Sequence, residues 1–92
     1  MMLAKRPHTV GNRRRYRIDY SDWLDEGVTV LSATVISSSS TATIDTVSVA
    51  GNFVIFFVNG GLLNETLTAT VIMTDSKTGV KHDTMDFFVV AP

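Results

Sequence analysis

The sequence predicts an all-β domain, an immunoglobulin-like antiparallel β-sandwich of six to seven strands with a disordered or extended basic N-terminal arm. Three observations predict it. Threonine and valine, β-branched residues that fit a pleated surface, dominate while alanine is scarce. No stretch repeats apolar residues at helical spacing. Glycine-containing turns cut the chain into short apolar or alternating runs, the rhythm of two packed sheets. An up-and-down small barrel is the alternative reading of the same pattern.

The elements follow in order. Tyr16, Ile18 and Tyr20 alternate with Arg15, Arg17 and Asp19, the period of a strand with one buried face. Asp25-Glu26-Gly27 marks a turn whose glycine is free to take positive φ. Between strand and turn lies the lone tryptophan, Trp23, in Ser21-Asp22-Trp23-Leu24. Its indole and Leu24 are expected to fold over the open end of the sandwich and plug it. A second strand is predicted from about Val28 to Ile36, and the polar run Ser37 to Ser40 reads as a loop. The next strand runs from about Ala42 to Val49, and Ala50-Gly51-Asn52 turns tightly into Phe53 to Val58, which stops at Asn59-Gly60-Gly61.

In the strand from about Glu65 to Thr74, Leu67, Ala69, Val71 and Met73 alternate with Thr66, Thr68, Thr70 and Ile72, giving an apolar inner face and a threonine-rich outer one. Asp75-Ser76-Lys77-Thr78-Gly79 forms a hairpin loop with Gly79 expected in the left-handed region, and Val80 to Val90 returns.

The segment Phe53 to Val58 is apolar on both parities. Phe53, Ile55 and Phe57 are expected to fill the core and Val54, Phe56 and Val58 to face outward. Near the end Met85, Phe87 and Val89 suit the core, which leaves Phe88 and Val90 outside. Were the two strands neighbours, Val54, Phe56, Phe88 and Val90 would form one exposed apolar patch, the kind of surface that packs on another protein chain.

Ninety-two residues make one domain, which buries roughly 60–65% of the surface its unfolded chain exposes. Without cysteine the fold has neither disulfides nor a thiolate metal site. The longest apolar run, six residues, is far short of the roughly 20 that cross a bilayer. With no apolar signal-peptide region at the N-terminus, the chain reads as cytosolically made, soluble and free of membrane contact.

Charge divides the chain. Residues 1 to 17 carry Lys5, Arg6, Arg13, Arg14, Arg15 and Arg17 without an acid, +6; residues 18 to 92 carry nine acids against Lys77 and Lys81, −7. Residues 1–15 are therefore read as a basic arm on an acidic domain, 16–92. Arg6, Arg13, Arg14 and Arg15 are the candidates for docking on an acidic partner surface. Nucleic acid is the weaker reading, because the body is acidic and no aromatic interleaves with the basic residues before Tyr16.

No catalytic constellation, metal site or cofactor motif is present. His8 and His82 lack sequence partners for acid–base work and read as solvated. The Asp75–Gly79 loop places lysine where a calcium loop needs a ligand. Asp83 and Asp86, three apart on a strand, point to opposite faces. Asn64-Glu65-Thr66 matches a glycosylation sequon by accident.

Tyr16, Ile18, Asp19, Tyr20, Ser21, Trp23, Leu24, Gly27 and Val30 together resemble the opening signature of the phage fiber-tail adaptor proteins. Phe57-Val58-Asn59-Gly60-Gly61, the 65–74 strand, Gly79 and Phe87 to Val90 resemble the rest of that pattern, over roughly residues 16 to 90. The resemblance implies a non-enzymatic protein of the virion, present in multiple copies, that joins the tail to fibers or other tail proteins. Tyr16, Tyr20, Trp23, Leu24, Gly60 and Gly61 would then hold the fold. A capsid decoration protein and a carbohydrate-binding host-recognition module are the alternatives that a stable sandwich with a docking face leaves open.

Overall fold

A computed structural model describes residues 2–39 and 41–91, and the last residue of the predicted serine loop, Ser40, lies outside the described residues. Seven strands follow one another: β1 (Met2–Thr9), β2 (Arg13–Asp19), β3 (Val30–Ser37), β4 (Ala42–Ala50), β5 (Phe53–Gly60), β6 (Thr66–Asp75) and β7 (Val80–Val90). They form two sheets, one ordered β1-β7-β6-β3 and the other β2-β5-β4. The all-β sandwich is thus the observed architecture, and the two separate ladders set it apart from a single closed barrel. The chain forms a rod of 42 × 21 × 19 Å.

The predicted arm is structured differently. Residues 2–9 form β1, which pairs in parallel with β7 from Met2↔Thr84 to Thr9↔Val90, and Arg13–Arg15 open β2 rather than precede it. The exposed edge of β7 supplies backbone partners for the start of the chain. This one parallel pair also departs from the antiparallel expectation. The signal is faint in sequence because Lys5-Arg6-Pro7-His8 has no apolar alternation.

β6 behaves as its pattern requires. Leu67, Ala69, Val71 and Met73 are buried, and the threonines face out. β5 reverses its expected parity: Val54, Phe56 and Val58 are fully buried, while Phe53, Ile55 and Phe57 lie half-buried on the outer face. The register explains the reversal. Tyr16 pairs with Phe56 and Ile18 with Val54 in an antiparallel ladder, and directly opposed residues share a face. Because Arg15 and Arg17 must face water, β2 turns Tyr16 and Ile18 inward and carries Phe56 and Val54 with them. β5 and β7 belong to different sheets, so the single patch expected from Val54, Phe56, Phe88 and Val90 does not form.

The core is the apolar layer between the sheets, centred on Phe56 and Phe87, whose rings meet edge to face with centroids 6.4 Å apart. One end of the rod holds the 20–29 turn, the Ala50–Phe53 hairpin and the Asp75–Val80 hairpin, linked by Tyr20 N–H to Asn52 O (2.9 Å) and Ser76 N–H to Thr29 O (2.8 Å). The other end gathers the 9–13 turn, the Gly60–Glu65 turn and the last residues of β7. Gly60 N–H donates to Asn12 O (3.1 Å), and Val89 N–H to Glu65 O (2.8 Å).

The last hairpin corrects a detail. Thr78, not Gly79, takes the positive φ (66°). Glycine is needed at 79 for room, since a Cβ there would lie 2.6 Å from Asp75 Oδ2, whose partner oxygen accepts the N–H groups of Lys77 and Gly79. It is a turn closed on its own aspartate.

Candidate partner-binding surfaces

The two tyrosines join the sheets, Tyr16 from the middle of β2 and Tyr20 from just beyond its end. Tyr20 is buried, and its hydroxyl donates to Asp83 Oδ2 at 2.9 Å. Asp83 has no exposed surface and also accepts from Lys81 Nζ, its neighbour on the same face of β7. Burial, then the hydrogen bond to Asp83, raises the Tyr20 pKa well above the ordinary phenol value. Asp86 points to the outer face and accepts from Thr68 Oγ1 at 2.8 Å, so the two aspartates diverge.

Tyr16 stands on the same inner side, against Phe87 at 4.6 Å between centroids, and its hydroxyl lies 3.2 Å from His8 Nδ1. His8 is buried, contrary to its expected solvation, because β1 lays it over the sandwich. Its Nε2 reaches Asn12 O at 3.1 Å. A carbonyl only accepts, so a neutral His8 keeps its proton on Nε2 and Nδ1 accepts from Tyr16. Burial raises the Tyr16 pKa, offset in part by Arg14 and Arg6.

Trp23 does not plug the end. The N–H groups of Trp23 and Leu24 both donate to Tyr20 O (3.0 and 3.1 Å), a tight turn that sends Leu24 against the core and leaves Trp23 49% exposed. Tyr20 and Leu24 fill the place predicted for it. Lys81 Nζ sits 4.9 Å from the Trp23 ring centroid. Asp22, Asp25 and Glu26 beside it are exposed, and their carboxylates engage no hydrogen bond or ion pair among the described residues. Asp19 is bound by the Ser21 hydroxyl and amide, which hold its carboxyl below the usual range.

The outer face of β2-β5-β4 is an arginine–phenylalanine surface. Arg13, Arg15 and Arg17 project from β2 on the side of Phe53, Ile55 and Phe57. The Arg13 guanidinium lies 3.8 Å from the centroid of Phe57, and that of Arg17 4.8 Å from Phe53. Arg13 also pairs with Asp45 at 2.6 Å, and this hydrogen bond lowers the Asp45 pKa. Arg15, between them, has no such partner among the described residues. Arg6 and Arg14 are exposed elsewhere, Arg6 on β1 of the other sheet and Arg14 on the β2 parity of Tyr16, beside its ring.

At the far end, Phe88 (39%) and Val90 (37%) are exposed on β7, and Leu62 (61%) and Leu63 (53%) stand on the adjacent turn. Asn64 N–H donates to Val89 O at 2.9 Å, which runs this turn beside the strand. Gly60 and Gly61 make that approach possible with φ of 83° and 103°. A Cβ on Gly61 would meet Val89 Cγ2 at 2.8 Å. Sequence reasoning found Phe88, Val90 and the glycine pair. It missed Leu62 and Leu63, whose signal was two consecutive leucines in a turn, and it missed the outward Phe53 and Phe57.

A β-sandwich whose distinguishing features are exposed apolar, aromatic and charged surfaces is a protein-interaction domain. Residues 8–88 match the family described as podophage GP4 fiber-tail adaptor protein gp77, and the chain belongs to that family. The match spans β2 to β6 whole and nearly all of β7, and it begins at the buried His8. Among curated proteins, none matches the chain.

Proposed function

We propose that the chain is a non-enzymatic joint of the podophage virion, made in the bacterial host cytoplasm, that connects the tail to a fiber or a neighbouring tail protein. Membership of the fiber-tail adaptor family carries this reading. The supporting geometry is a rod with chemically unlike ends, one acidic around Trp23 and one apolar around Phe88, Val90, Leu62 and Leu63. Its mechanism is positional: a rigid sandwich offers different surfaces to different neighbours, and repeated copies make individually weak contacts collectively strong.

Phe88 and Val90 are the contacts assigned to a neighbouring virion protein, with Arg6, Arg13, Arg14 and Arg15 assigned to acidic surfaces. Val54 and Phe56, sealed in the core, have no part in docking. The deciding experiment is to locate the chain in intact particles by density map or antibody labelling. Signal at the tail vertex between tail and fiber is expected. Signal spread over the icosahedral shell would make it a decoration protein instead, and absence from the particle would overturn the reading. Phe88→Ser with Val90→Ser should leave the isolated domain folded and strip it from particles.

A further inference from the structure

The arginine–phenylalanine face and the acidic Trp23 turn are complementary surfaces of one chain. The face offers three guanidiniums, with Arg15 engaged by no hydrogen bond or ion pair among the described residues, over a strip of half-buried Phe53, Ile55 and Phe57. The turn offers the exposed carboxylates of Asp22, Asp25 and Glu26, which engage no partner among the described residues, around an indole that is half in water. Carboxylates match guanidiniums, and an indole edge or face matches both arginine planes and phenylalanine rings.

We infer that the outer face of β2-β5-β4 binds a second copy of this chain, through that copy's 19–26 turn. Within one molecule the turn cannot reach its own face: Trp23 is fixed beside Lys81 of the opposite sheet, and the backbone bonds from Trp23 and Leu24 to Tyr20 O fix its direction. The contact joins unlike surfaces, so each bound pair keeps one surface of each kind free, and association proceeds to a closed ring or an open chain. The Arg13 and Arg17 guanidiniums already cover Phe57 and Phe53 in the free molecule, which keeps the face soluble until a partner displaces that cover. The inference stands apart from the adaptor reading, since it concerns the purified chain alone.

The test uses that chain and its single tryptophan as the probe. At low ionic strength, raising the concentration should increase the mass seen by light scattering and shift Trp23 emission to shorter wavelength as the indole leaves water. Salt at about 1 M, where the Debye length is about 3 Å, should weaken association at least about tenfold.

Two charge-reversed variants sharpen it. Arg13→Glu/Arg15→Glu/Arg17→Glu and Asp22→Lys/Asp25→Lys/Glu26→Lys should each be monomeric, and an equal mixture should associate again. Arg15→Glu alone, which disturbs no interaction within the described fold, should weaken association if the triple change unfolds the domain. A wild-type chain that stays monomeric at millimolar concentration and low salt would overturn the inference. So would folded variants that associate like wild type, or a mixture that fails to restore assembly.

Discussion

Tyr16 and Tyr20 lie on the same inner side of β2, four residues apart, and each meets a buried polar residue from the opposite sheet, His8 or Asp83. The resemblance ends there. Asp83 is a buried carboxyl tied to both a lysine and a phenol, whereas His8, equally buried, bridges the partly buried Tyr16 phenol and the Asn12 backbone carbonyl. A carboxyl without surface depends on every one of its partners, while the Tyr16 hydroxyl belongs to a residue that is only partly buried and reaches a second acceptor, Pro7 O at 3.4 Å. The acidic end is therefore the brittle one, and the glycine end the forgiving one.

Asp83→Ala should have the largest effect, because it leaves Lys81 nearly buried and Tyr20 without an acceptor. A loss of about 3–5 kcal/mol in denaturant unfolding is expected. A loss below about 1 kcal/mol would erase the contrast between the ends.

Tyr20→Phe should cost about 1.5–3 kcal/mol, the range for a hydrogen bond to a charged group. It should also change the alkaline limb. The folded-state pKa of Tyr20 is raised, so its stabilisation is complete below the unfolded phenol value, about 10, and is lost as pH rises beyond it. Wild-type stability should fall above that pH, and the fall should flatten in the Phe variant.

At the forgiving end, Gly61→Ala should cost about 1–3 kcal/mol, since the residue holds positive φ and the new Cβ strikes Val89. This cost comes from backbone and space, not from polar pairing, so salt and pH should leave it unchanged. Tyr16→Phe should have the smallest effect, about 1 kcal/mol or less, because the residue is only partly buried and its hydroxyl makes long contacts, 3.2 Å to His8 Nδ1 and 3.4 Å to Pro7 O. A larger loss than Tyr20→Phe would reverse the comparison.

β6 and β5 show where sequence reading reaches and where it stops. In β6 every second residue is apolar and the others are mostly threonine, so only one face can be buried, and the structure buries it. In β5 both parities are apolar, and burial of either satisfies the hydrophobic effect locally. The choice is made by the ladder to β2, a partner distant in sequence, whose arginines admit only one orientation. Trp23 was misplaced for a related reason: the sequence shows a large apolar ring at a corner, but Tyr20 and Leu24 had already filled the interior there.

The sequence by itself determined that the chain is a β-sandwich, placed most of the turns from Gly27 to the last hairpin, and carried, from Tyr16 to Val30 and at Gly60-Gly61, a resemblance to the adaptor family whose model matches residues 8–88. These rest on local rules: alternation, β-branching, and backbone angles that suit glycine. Only the tertiary structure decided that the basic start of the chain is a strand, which face of β5 is inside, and that Trp23 stands in solvent beside unpaired acids. Those outcomes depend on register and on competition for a finite interior, and both are set by contacts between residues far apart along the chain.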